Sequence, residues 1–332
     1  MAVPVRAARA GVGFRLRRDL AFHDWLVGGF LALLALAVLA ADPHPLKVRA
    51  AARMMTLAAA VIGAIVAVRG GWVTSRPFAP LLYRTAVLGG VLGVYFVLRD
   101  LAPVVSPHDL DTELRWIDIA IFGGEPAVWL QRFVTPSSTE WFAFFYLSYF
   151  WMLAIFALPI TYATDREPLM AEFATGMFLI YCLGQTLYLF VPGFGPLHAF
   201  PDSFAAPLPR GPVYDALMRT VEAGSAMKDI FPSLHTAGPL FMTLFAFRHR
   251  RERVFRIAWP VTAFFAANIL VATLLLRWHY AIDVVAGAVL ALVACAASIT
   301  LPTRELARRR ARGAAALWPP RFSGDDAPAQ NP

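Results

Sequence analysis

Apolar runs long enough to cross a hydrocarbon layer recur along nearly the whole chain, at residues 25–41, 53–69, 81–98, 138–162, 169–191, 231–247, 257–277 and 280–301. A helix needs about 20 such residues to span a bilayer core. In hydrocarbon every backbone N–H and C=O must find a partner within the fold, which leaves helices or closed barrels. These runs far exceed a barrel strand, so the expected fold is all-α: a polytopic membrane helical bundle of about eight transmembrane helices. The composition agrees, because 58% of the 332 residues are hydrophobic and only 16% are charged, well outside the range of a soluble domain.

The net charge of +8 is not a nucleic-acid signature. The arginines sit in short clusters beside apolar runs, which reads as topology. The arm before the first run (Arg6, Arg9, Arg15, Arg17, Arg18), the 69–84 connection, the 248–256 loop and the segment from Arg304 to Arg312 all fall on one side of the alternating spans, predicted cytoplasmic. The acid-rich 99–137 connection and the 192–230 loop then lie outside. The 42–52 turn is an exception, predicted outside although it carries Lys47 and Arg49. Within the outer connection, residues 113–133 mix charges with aromatic residues and are expected to lie along the interface as short helices broken at Gly123-Gly124. The basic start resembles a signal peptide, but no small-residue cleavage site follows, so an uncleaved first span is expected. Residues 1–24 are read as a basic cytoplasmic arm, and residues 303–332 as a disordered basic and proline-rich tail. Cys182 and Cys295 each sit inside an apolar run and imply neither disulfide nor thiolate metal site. Lysine occurs only at Lys47 and Lys228 while arginine and alanine abound, a bias that points to a GC-rich bacterial genome and hence to a bacterial inner membrane.

Two segments carry chemistry. Phe231-Pro232-Ser233-Leu234-His235-Thr236 opens the sixth run from its outer end. Proline suits a first helical turn, and the unpaired N–H groups there attract anions, so a phosphate is expected beside His235. His279-Tyr280-Ala281-Ile282-Asp283 opens the eighth run, also from outside. A histidine and an aspartate four apart share one helix face, where the carboxylate fixes the imidazole tautomer and orients it as a nucleophile. A lone interfacial histidine is more often a structural residue, but ionisable groups in spans are costly and mostly functional. The topology also brings both motifs to the same depth on the same face.

The PSLH and HYAID segments, with one intervening span, resemble the second and third motifs of the type-2 phosphatidic acid phosphatase superfamily over about 220 residues, from the third run to the eighth. The resemblance implies a six-helix catalytic core over 81–302, with interfacial helices near 108–137, preceded by two accessory helices in 25–80. It implies His279 as nucleophile, Asp283 as its orienting carboxylate, His235 as general acid for the leaving group, and a phosphohistidine intermediate. The chain departs from the phosphatase branch in three ways. Leu234 replaces a usual glycine, Ala272 and Thr273 stand where a serine–arginine pair is usual, and the first basic motif is absent. The stretch Tyr188-Leu189-Phe190-Val191-Pro192-Gly193-Phe194-Gly195-Pro196, with PSLH and the earlier Asp118 and Phe122-Gly123-Gly124-Glu125-Pro126, is similar to the inositol phosphorylceramide synthase branch, whose enzymes transfer a phosphoalcohol head group between lipids. Membrane lipids are then the donor and acceptor, and no cofactor is implied.

Phosphoryl transfer relies on positive groups around the equatorial oxygens. Ser233, Lys228, Arg277 and Arg210 are the candidate phosphate-binding residues: Lys228 lies seven residues before His235 and Arg277 two before His279. Lipid phosphate phosphatase activity on phosphatidic acid or a polyprenyl phosphate would use the same catalytic residues, with water as acceptor. A two-histidine, one-carboxylate metal site and a transporter or scaffold are the other readings. The latter fits less well, because the polar residues gather at one membrane face rather than at the midplane.

Overall fold

The computed structural model describes residues 19–75, 77–224 and 228–320. The basic arm up to residue 18, Arg76, and the last part of the tail lie outside the described residues. The elements are α1 (Phe22–Ala40), α2 (Lys47–Arg69), α3 (Phe78–Val105), α4 (Asp111–Phe122), α5 (Pro126–Leu130), α6 (Pro136–Tyr162), α7 (Glu167–Phe190), α8 (Pro212–Gly224), α9 (Leu234–Arg248), α10 (Arg253–Leu275) and α11 (Ala281–Arg312). Helix ends follow local chemistry. Thr135 caps α6 by accepting the Ser138 N–H at 3.1 Å, with Pro136 in the first turn. Gly123 ends α4 in the left-handed region.

Seven of the described helices, α1, α2, α3, α6, α7, α10 and α11, are long and apolar enough to cross a membrane. The eighth expected span differs. Residues 231–233 stay non-helical, and α9 has only 15 residues, about 22 Å at 1.5 Å per residue against a core of about 30 Å. It survives as a short helix because it is packed among α6, α7, α10 and α11 rather than bridging the bilayer alone. The basic exception at the outer turn also has a physical basis: Arg49 and Arg53 both pair with the buried Asp100 of α3, Arg53 at 2.7 Å.

α4 shows its exposed face in Trp116, Ile119 and Ile121, while Leu114 and two acids, Asp111 and Asp118, are buried. An interfacial helix thus turns its carboxylates towards protein and its bulky apolar residues outwards, where lipid would be.

The inner end corrects the expectation of a disordered tail from residue 303. α11 continues to Arg312 and stops at the left-handed Gly313. The chain then folds back, burying Leu317 and Trp318. Arg69 donates to the carbonyls of Ala316 and Leu317 at 2.9 and 2.7 Å, Arg309 to Ala315 at 2.6 Å and Arg84 to Pro319 at 3.1 Å. Arginines that read as topology charges are here buried donors, and a buried guanidinium demands such partners. That demand orders the segment.

Candidate active site

α10 ends at Leu275, and Arg277 takes a left-handed backbone conformation with φ of 65°. The N–H groups of Trp278 and His279 both return to the Thr273 carbonyl, at 3.0 and 3.1 Å. This reversal delivers His279 to the mouth of α11. There Asp283 accepts the Tyr280 N–H at 2.9 Å and lies 3.2 Å from His279 Nδ1. Both side chains are buried. An ionised carboxylate can only accept, so Nδ1 carries the proton and Nε2 the lone pair.

α4 supports this arrangement from outside. Asp118 accepts the N–H groups of Ala281 and Ile282, both at 2.8 Å. Asp111, two turns earlier on the same face, accepts the N–H groups of Phe194 and Gly195 at 2.8 and 2.9 Å and the Tyr280 hydroxyl at 2.9 Å. Burial pushes the Asp118 carboxyl up from its ordinary range, the two backbone N–H groups pull it down, and nearby Glu125 adds to the rise. The 194–195 turn needs glycine: Gly195 has φ of 81°, and a Cβ there would overlap the Trp278 carbonyl oxygen.

The second motif meets the first through backbone. Ser233 N–H donates to the Asp283 carbonyl at 3.0 Å. A Cβ on Gly287 would overlap the Ser233 carbonyl oxygen, so glycine alone lets α11 pass this close to the start of α9. The His235 and His279 ring centroids are consequently 6.4 Å apart. His235 stacks on Tyr146 at 4.1 Å and leans on Tyr149 at 4.3 Å. Its Nε2 is buried with no hydrogen-bond partner. Such an atom is costly unless a ligand group completes it.

Both rings open on a cavity of about 210 Å³ whose walls include Tyr95, Tyr146, Tyr149, Tyr181 and Tyr188, with Gln185 and Asp229. Among the described residues no arginine or lysine lines it. The four expected phosphate contacts are elsewhere. Ser233 is fully buried, with its hydroxyl 3.2 Å from that of Thr236. Lys228 donates to the carbonyls of Ser106, Pro107 and His108 at 3.1, 3.1 and 2.9 Å and so ties down the end of α3. Burial lowers its affinity for a proton, while Asp109 and Asp111 favour the charged form. Arg277 lies over the Phe204 ring at 4.0 Å and donates to the Ala206 carbonyl at 2.9 Å. Arg210 pairs with Asp215 at 2.7 Å on an exposed edge. Closeness in sequence to a histidine does not specify the direction a side chain takes. Nor do the described residues contain a group of three or more His, Cys, Asp or Glu side chains arranged to hold a metal.

Asp111 and Asp118 hold the backbone around the histidine–aspartate pair; the sequence reading names Asp118 but leaves both outside the catalytic set. Their signal is the seven-residue spacing on an amphipathic segment. Asp118→Ala leaves two N–H groups at the start of α11 without their acceptor, a cost of about 1–3 kcal/mol. The expected outcome is a lower thermal midpoint and a reduced kcat with little change in KM, read by unfolding scans and initial rates. An unchanged kcat would show that α11 holds Asp283 without this cap.

The model of one family, the PAP2 superfamily, matches residues 120–297, a stretch that contains His235, His279 and Asp283. No curated protein and no solved structure matches the chain. The match spans more than half of the 332 residues and coincides with an all-helical bundle suited to a membrane, so this chain belongs to the PAP2 superfamily, with lipid-directed activity of the phosphatase or phosphotransferase type.

Proposed function

We propose that the protein is an integral membrane lipid phosphotransferase, moving a phosphoalcohol head group of the inositol-phosphate kind from a donor lipid to a lipid acceptor through a phosphohistidine intermediate. The observation that carries this reading is the cavity at the histidine pair: among the described residues it is walled by tyrosines and contains Asp229 but neither arginine nor lysine. A phosphomonoester carries up to two negative charges on the transferring group, and stabilising them without cations in a partly apolar site is expensive. A phosphodiester carries one. Tyr95, Tyr146, Tyr188 and Gln185 suit a hydroxylated, uncharged head group, and the resemblance to the inositol phosphorylceramide synthase branch points the same way.

In the first step His279 Nε2 attacks phosphorus, the bond to the lipid alcohol breaks, and His235 gives its proton to the departing oxygen. In the second the acceptor hydroxyl attacks, its proton passes to His235, and the phosphorus–nitrogen bond breaks. The sum exchanges one lipid alcohol for another and leaves both histidines as they began. The site is read as facing the periplasm or cell exterior of a bacterial inner membrane, a reading supported by the arginines gathered at the opposite end of the bundle.

The test is the fate of label. Purified enzyme incubated with phosphatidylinositol labelled in its head group, and with ceramide or diacylglycerol as acceptor, is expected to produce a new labelled lipid. Exclusive release of inorganic phosphate from phosphatidic acid would overturn the transferase in favour of the phosphatase.

A further inference from the structure

A second, narrower cavity of about 20 Å³ lies between α3, α6 and α7, next to the cavity at the histidines, and the two share Leu92, Leu153 and Tyr181 as walls. Together they trace one seam. On α6 it runs from Tyr146 to Thr161, about 22 Å at 1.5 Å per residue. Half of a bilayer core is about 15 Å, so the seam passes the midplane and reaches the arginine-rich end.

Its lower walls are Leu88, Val91, Ala174, Met177 and Phe178. At the waist Tyr149 and Tyr181 share a hydroxyl hydrogen bond of 2.5 Å. Their polar atoms satisfy one another, so the rings can face a hydrocarbon chain without an uncompensated hydroxyl. The lower part is too narrow for a head group or for two chains side by side.

Trp318 closes the inner end, beside Arg84. It belongs to the segment after α11, not to the core helices. Its indole stacks on His23 of α1 with ring centroids 4.6 Å apart and planes 9° from parallel. Arg69 of α2, Arg84 of α3 and Glu167 of α7 hold the backbone on either side of it. α1 and α2 lie outside the family-matched residues, yet both hold the tail that stops the seam.

We propose that the seam holds one extended hydrocarbon chain of the lipid substrate and that Trp318 is its floor, setting the longest chain the site accepts. The proposal rests on the lipid-substrate reading of the histidine site, whose cavity shares three wall residues with the narrower one.

The experiment measures binding, so that it does not depend on catalysis. Full-length protein in detergent is titrated with lysophosphatidylinositols that differ only in acyl-chain length, and bound lipid is read by native mass spectrometry. Affinity is expected to rise with length up to a break and then fall. Trp318→Ala should move that break to longer chains. Ala174→Phe, which fills the seam without touching the tail, should move it to shorter chains, and it remains decisive if Trp318→Ala fails to fold. A break at the same length in Ala174→Phe and wild-type protein overturns the seam, and one unmoved in a folded Trp318→Ala overturns the floor. Binding that shows both shifts, without turnover of any phosphatidylinositol, would instead overturn the transferase and leave the seam standing.

Discussion

His279→Ala is expected to abolish head-group transfer, lowering kcat by roughly 10⁶, the scale seen when the nucleophile of a nucleophile–base–carboxylate set is removed. The physical reason is the lack of a substitute: Asp283 Oδ2 is committed to the Tyr280 N–H, and among the described residues the cavity offers no other nitrogen nucleophile besides His235. Acid-quenched enzyme should also lose the covalent label that wild type acquires from donor lipid labelled in its head-group phosphate. Undiminished labelling in the variant would move the nucleophile elsewhere. Asp283 acts through the ring it orients, so its removal should slow the chemical step while leaving donor binding nearly intact.

His235→Ala should behave differently according to the leaving group. Loss of a positioned general acid costs about 10²–10⁴ in rate, but only where the departing oxygen needs a proton. With a nitrophenyl phosphodiester the first step needs none, so the variant is expected to give a near wild-type burst of nitrophenol. Turnover then stalls, because the acceptor alcohol has lost its base, and covalent enzyme accumulates. A burst slowed as much as turnover on natural lipid would remove His235 from the role of leaving-group acid and make it a structural partner of Tyr146 and Tyr149. The buried Nε2 without a protein partner favours the catalytic role, since a purely structural histidine in an apolar wall normally satisfies both ring nitrogens.

Among the described residues the wall of the cavity holds neither arginine nor lysine. Lys228 and Arg277 are near the histidines in sequence, yet each is spent on carbonyl oxygens of neighbouring loops. They tie neighbouring loops together and lie outside the wall of the cavity. On the proposed reading, a wall without cations suits a diester better than a dianion.

Much of this protein is legible in local sequence. The apolar runs determine a membrane bundle, because hydrocarbon admits only helices or closed barrels and these runs are far too long for barrel strands. The His279–Asp283 pair follows from a four-residue spacing on one helix face, and the prolines and glycines that end helices act through backbone geometry alone. These features depend on neighbours a few residues away, which the chain itself supplies. What tertiary structure decided depends on partners far apart in sequence. Asp118 caps a helix 163 residues further on, and Gly287 matters because the Ser233 carbonyl, just ahead of α9, crosses it. Arg69 reaches a carbonyl 248 residues away to order a tail whose composition reads as disordered. Charge and spacing state what a side chain is able to bind. Only packing decides which group it meets.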